Sequence, residues 1–217
     1  MTMWSIWNQR NQIRLRQPSC NTDHLARAAQ DRYAEFTALQ PPFRQRTQQQ
    51  RVTWHPPPTN VYKINYDGVV FAKENKLGIG VVVRDSNGLV IASMAQQLPH
   101  VYKAVEIETM AVSRASEFGV EIGIHQAILE GDSAIIVTAL AEGDFGAATY
   151  GLFLKEANNF FPSYSKLSHF HTKRDSNKVA HSLAKSAINF SDCIVWIEDV
   201  PSQSLYFVQA DLANLLE

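Results

Sequence analysis

The chain has 217 residues, 45% of them hydrophobic and 19% charged, with a formal net charge of -1. That is enough for one soluble domain of common size plus an extension. No apolar run reaches the roughly 18 residues of a membrane span, and the start MTMWSIWNQRNQIRLRQ lacks the apolar stretch of a secretory signal.

The near-neutral total hides an asymmetry. Residues 1–59 carry eight Arg, no Lys and three acids, a balance of +5, whereas the remainder has twelve basic and eighteen acidic residues, a balance of -6. An arginine-rich arm fits a polyanionic partner, and equally a solvated leader or, being acid-poor, a transit peptide. Cys20 and Cys193 are far apart and in no CxxC or Cys/His spacing, which argues against structural zinc and for a reducing compartment. An intracellular location, nucleus or cytoplasm rather than secretion, is expected.

In chain order, WSIWNQRNQIRL and then HLARAAQDRYAEFTAL, with Leu25, Ala28, Ala29, Tyr33 and Phe36 at helical spacing, make residues 1–40 a basic helical leader. Five prolines and three consecutive glutamines mark residues 41–59 as a linker. From Val61 the pattern changes. VYKINYDG alternates as a strand, and GIGVVVRD and LVIASMA are β-branched runs joined by DSNG, a hairpin signal. AVEIETMAVSRASEFGVEIG is a helix that stops near Gly123. HQAILEGD is a strand leading to the helix DSAIIVTALAEG; a further helix spans 147–162, KLSHFHTK is a strand and DSNKVAHSLAKSAINF a last helix. The expectation is an α/β domain over 60–190, with residues 191–217 a C-terminal extension. Its five-stranded mixed sheet would be an antiparallel meander of three strands plus two parallel strands, flanked by helices.

Three acidic residues occupy comparable places. Asp67 ends the first strand, Glu108 lies in the first long helix and Asp132 ends the fourth strand. Strand ends are where α/β sites assemble, so the three are expected to meet. Such a cluster repels itself unless a cation neutralises it, and hard oxygen ligands favour Mg²⁺, with Mn²⁺ as the alternate ion. That is chemistry for phosphodiester hydrolysis, with two ions about 4 Å apart. Each residue has a plainer reading: Asp67-Gly68 as turn chemistry, Glu108 as a solvated helix residue with Glu106 competing for its role, Asp132-Ser133 as a helix cap. Tyr62, Tyr66 and Phe71 are placed to stack on bases or, as is commoner for aromatics at strand spacing, to fill a core. No Walker loop, G-x-S-x-G or zinc spacing offers rival chemistry.

Taken in order, YKINYDG, GIGVVVRDSNGLVIAS, EIETMAVSRASEFGVEIG, ILEGDSAIIVTAL and RDSNKVAHSLAKSA resemble the type 1 ribonuclease H domain over about residues 60–190. The nearest likeness is to the plant reverse-transcriptase-like group related to non-LTR retrotransposons. WHPPP resembles the usual lead into that domain, and WSIWNQRN resembles the segment before it in plant retroelement polyproteins, which implies a fragment or a descendant of one. The resemblance implies an endonuclease that cuts the RNA strand of RNA–DNA hybrids with four carboxylates and two Mg²⁺. Asp67 in N-x-D-G, Glu108 in E-x-x-A and Asp132 in E-x-D-S match three of the four.

The fourth position departs from the pattern: the motif N-x-x-A-D-x-L-A reads NKVAHSLA here, with His181 where the carboxylate is expected. An imidazole brings no negative charge and prefers softer metals, so the second ion should be weakened most. His181 therefore reads either as a compromised catalytic ligand or as the mark of a non-catalytic module, derived from a retrotransposon, that binds nucleic acid or protein. A third reading is a fragment with no function. His171 matches a mobile histidine of catalytic relatives implicated in product release. Lys173, Arg174 and Lys178 are candidate phosphate contacts at the same edge, or merely solvated charges. Recognition would use the backbone and the 2′-hydroxyl, and a monomer is expected.

Overall fold

The computed structural model describes residues 2–18, 21, 23–24, 26–27, 30–31, 34, 53–99, 104–143, 145–146 and 149–216. The chain divides into two compact units, Met1–Gln50 and Arg51–Glu217. In the first, α1 spans Thr2–Arg14, and the described residues between 23 and 34, apart from Asn21 before them, are helical. The expected linker falls outside the described residues over 41–52.

The second unit is built on one sheet. Its strands are β1 (Tyr62–Phe71), β2 (Lys76–Arg84), β3 (Val90–Leu98), β4 (Gln126–Gly131), β5 (Lys166–His171) and β6 (Cys193–Ile197), in the spatial order β5-β4-β1-β2-β3-β6. β1, β2 and β3 form the antiparallel meander, and β4 and β5 add on the other side in parallel. The hairpin between β2 and β3 closes as its Asn-Gly pair dictates. Asp85 Oδ1 accepts from the N–H groups of Asn87 and Leu89, both at 2.9 Å, and Gly88 adopts φ +82°.

The sheet has six strands, not five. β6 pairs antiparallel with β3, Ala95 opposite Ile194, and it comes from the stretch read as an extension. CIVWI is only five residues long and does not alternate, since three of its side chains face outward on the edge of the sheet. Such a segment carries no period-two signal to find.

Helices cover both faces. α2 (Ala104–Glu121), α3 (Ala134–Glu142) and α4 (Thr149–Phe160) enclose the larger core, in which Ile64, Tyr66, Ile79, Val81, Phe118, Leu129, Ile136 and Leu154 are buried. On the opposite face α5 (Lys178–Ser186) and α6 (Ser202–Asn214) bury Val82, Val179, Leu183, Val200 and Val208 together. Period-two alternation puts Ile64 and Tyr66 toward the first set, and Lys63, Asn65 and Asp67 toward the second. Two glycines set how close the helices come. A methyl at Gly68 would collide with Ile107 of α2, and one at Gly80 with the backbone of Ala180 and Ala184 in α5. These contacts draw the helices carrying Glu108 and His181 onto β1 and β2 around Asp67.

Trp54, within the span whose composition reads as linker, is 1% exposed. Its indole Nε1–H donates to Asn65 Oδ1 at 2.9 Å, and the Arg84 guanidinium lies 3.5 Å from its ring centroid. Arg84 is ion-paired with Asp211 of α6 at 2.7 Å, and Lys63 with Glu130 at 2.6 Å. Asn65 also donates to Glu130 Oε2 at 3.1 Å. The segment before β1 and the last helix are thereby tied to one buried polar network.

Candidate metal centre

The parallel register brings the first two carboxylates together. Asn65 on β1 lies opposite Glu130 on β4, and continuing that register by two residues sets Asp67 beside Asp132, just past the end of β4. Glu108 arrives from α2 through the close approach at Gly68, whose N–H donates to its carboxylate. One carboxylate oxygen from each of Asp67, Glu108 and Asp132 lies within 4.8 Å of the others. Glu106 is not part of this group. Ser133 occupies the N-cap of α3 without a side-chain capping bond, so helix capping does not account for the Asp132-Ser133 pair.

The electrostatics are those of an unbalanced site. Burial, then the charges of Asp67 and Asp132, push the Glu108 carboxyl up to about 9. Asp132 is also raised, by burial and by Asp67. Glu108 Oε2 is buried with no hydrogen-bond partner. A buried, orphaned oxygen in a cluster of three acids matches what a hard divalent cation needs, so the residues present fit such an ion.

His181 sits one helical turn after Asn177 on α5. Asn177 Nδ2–H donates to the Tyr66 carbonyl at 2.8 Å, which pins the start of the helix beside Asp67. The His181 Nδ1–H then reaches Asp67 Oδ2 at 2.5 Å, with Asp67 3% exposed at its side chain and His181 19%. Asn177 opens the motif N-x-x-A-H-x-L-A, which by itself assigns it no task; an amide that begins a helix beside a strand is the sequence signal for this role. Arg174, expected as a phosphate contact or a merely solvated charge, also lies against His181. Its Nη2 lies 3.4 Å from both ring nitrogens of His181, and its charge favours the ionised forms of Glu108 and Asp132.

The other candidates lie around the rim. His171 is exposed and its Nε2–H donates to the Asp132 carbonyl at 3.2 Å. Lys173 is exposed beside Arg174, and Lys178 is 3.4 Å from Asp175 in a solvent-exposed pair. Tyr66 is buried under Gly131 in the core, which removes it from base stacking.

A six-stranded mixed sheet between helices, with an acidic cluster where β1 outruns β4, defines an RNase H-like domain, and solved structures agree on the fold. Ribonuclease H1 of the halophilic archaeon Halobacterium salinarum superposes with TM-score 0.55 at 19% identity, over 59% of this chain and 98% of its own. The N-terminal RNase H domain of a Mycobacterium tuberculosis protein, solved as a fusion with maltose-binding protein, gives 0.54 and 19%, over 59% and 94%. An RNase H1 isolated from compost by a metagenomic approach gives 0.51 and 21%, over 60% and 97%. The reverse transcriptase-like family model matches residues 65–187, more than half of the chain, and the chain belongs to that family. No curated protein matches it. Among the described residues no helix is long and apolar enough to cross a membrane.

Proposed function

We propose that this domain is a ribonuclease H-type endonuclease that hydrolyses the RNA strand of RNA–DNA hybrids with Mg²⁺, or Mn²⁺ in its place. The observation that carries the reading is the cluster of Asp67, Glu108 and Asp132 with its buried, unpartnered Glu108 oxygen. An ion held by these three would polarise a phosphodiester and lower the pKa of a water. The chain's own residues do the rest. His181 fixes where the Asp67 carboxylate points, and Asn177, bonded to the Tyr66 carbonyl, fixes where the helix bearing His181 begins. Lys173, Arg174 and Lys178 offer positive charge to a nucleic-acid backbone along the same edge. The exposed Lys178–Asp175 pair is worth ~0–1 kcal/mol and yields readily to a phosphate. To His171, hydrogen-bonded to the Asp132 carbonyl at the rim, we assign a part in product release. Contacts of this kind recognise backbone and 2′-hydroxyl, not sequence.

We further assign the chain to the plant, non-LTR retrotransposon-related group, acting as a monomer in the nucleus or cytoplasm. The second reading, a non-catalytic module that binds nucleic acid or protein, is favoured by one observation: the bond from His181 to Asp67 engages a carboxylate oxygen for which a metal would have to compete. A labelled RNA–DNA hybrid incubated in Mg²⁺ and in Mn²⁺ separates the two, with Asp67→Asn and His181→Asp variants alongside. Cleavage lost in Asp67→Asn and enhanced in His181→Asp is expected. No cleavage in either metal, and none gained by His181→Asp, would leave the binding module standing.

A further inference from the structure

We propose that the site takes a single divalent ion, and that the Arg174 guanidinium beside His181 supplies the positive charge a second ion would bring. The inference rests on the metal-dependent reading of Asp67, Glu108 and Asp132, and it concerns how many ions that cluster holds.

Two observations carry it. The first is geometric. Two ions about 4 Å apart need a carboxylate between them with an oxygen for each. Asp67 is the most buried member of the cluster, and its Oδ2 already accepts from His181 Nδ1–H at 2.5 Å. That bond takes one lone-pair direction of Oδ2, so a cation there competes with the imidazole while Oδ1 carries no such bond to it. His181 also stands where the fourth carboxylate of the family pattern would be, so a second ion loses one carboxylate outright and must share Asp67 Oδ2 with the imidazole.

The second observation is charge. Once all three are ionised to hold a cation, the carboxylates total -3, and no fourth acid joins them among the described residues. Arg174 Nη2 lies 3.4 Å from both His181 nitrogens, so the guanidinium sits against the imidazole and is not aimed at one atom of it. Its field reaches Glu108 and Asp132, lowering the cost of ionising each. One guanidinium brings the cluster to -2, which a single divalent ion neutralises. A second ion would leave net positive charge in a partly buried site before any substrate phosphate arrived. Arg174 is exposed, and its planar five-donor fork can meet a phosphate oxygen while Nη2 remains beside the imidazole.

The test is Mn²⁺ binding to the full chain, followed by titration calorimetry and by the electron paramagnetic resonance signal of free Mn²⁺. The wild-type chain should bind one ion, His181→Asp a second and weaker one, and Arg174→Gln one ion severalfold more tightly because a repelling cation is gone. Two ions on the wild-type chain would overturn the inference and leave the nuclease reading intact. No ion at all would overturn both. One ion with no cleavage of a hybrid would count against the nuclease alone. Far-UV circular dichroism verifies that each variant is folded. Should His181→Asp not fold, the Arg174→Gln affinity decides, and an unchanged affinity would sink the role given to Arg174.

Discussion

Strand β1 carries two buried charged sites on the same face, two residues apart, and they are resolved in opposite ways. Lys63 and Asn65 belong to a network in which Lys63 meets Glu130, Arg84 meets Asp211 and Trp54 donates to Asn65; among these polar side chains only Arg84 Nε is left without a partner. Asp67 belongs to a cluster of like charges with one orphaned oxygen and a carboxyl pushed up to about 9. Charge that the chain neutralises from within holds elements together. Charge that it leaves unbalanced, where β1 runs on past the end of β4, marks a place for something from outside.

That contrast can be broken from either side. The largest effect is expected from ending the chain after Glu198, which removes α6 with Asp211, Val200 and Val208 and leaves Arg84 buried and unpaired. Loss of the ion pair alone costs ~3–5 kcal/mol, against a total of ~5–15 for a domain, so the shortened chain should lack a cooperative thermal transition. A normal melt would show that the network is not structural. Asp211→Ala should cost ~3–5 kcal/mol in urea unfolding, and an Arg84→Met, Asp211→Leu pair should recover most of it. Neither change should alter Mn²⁺ stoichiometry.

At the other site the sign reverses. Asp67→Asn removes a repelling charge, so the metal-free melting temperature should hold or rise while the increase caused by Mg²⁺ disappears. An intact Mg²⁺ response in that variant would place the ion elsewhere.

The pH dependence follows from two groups with opposite shifts. Glu108, raised to about 9, holds a proton in the folded chain that the unfolded chain releases near its ordinary value of 4.5. Its contribution is present below 4.5 and is lost as pH rises toward 9. His169, buried and lowered to about 4 from 6.5, works the other way, adding stability as pH rises between those values. Above about pH 7 only the carboxyl slope remains of the two, so metal-free stability should fall toward pH 9, and Glu108→Gln should remove most of that slope in urea titrations. A slope unchanged by the variant would assign it to another group. The smallest effect is expected for Trp54→Phe, which keeps the ring under Arg84 and loses the bond to Asn65, ~1 kcal/mol by thermal melting.

The meander, the alternating helices and the three acidic positions were legible because each rests on a local pattern: period two, period 3.6, or a carboxylate in a short motif. Asp67, expected at the end of the first strand, instead lies inside β1, because the strand runs on past it to Phe71 in its ladder with β2. What was not legible is long-range. Trp54 sits among prolines, and nothing near it in the chain announces a buried indole. Its partners Asn65, Arg84 and Asp211 are chosen by the fold. β6 and α6 read as an appendage because their evidence is a pairing with β3 and a buried ion pair. At the site, the substitution to His181 was visible as a lost charge, but its bond to Asp67 and the guanidinium against its ring are matters of geometry.

The Arg84–Asp211 pair joins residues 127 positions apart. A contact so distant cannot guide the first collapse; the loop that closes it is among the most costly in entropy the domain must form. During synthesis Arg84 emerges long before its partner, and the sheet face beneath α6 must wait uncovered. The slowest step of folding should therefore be the docking of this last helix, visible as a late kinetic phase that Asp211→Ala removes or delays while the earlier assembly of β1, β2 and β3 keeps its rate.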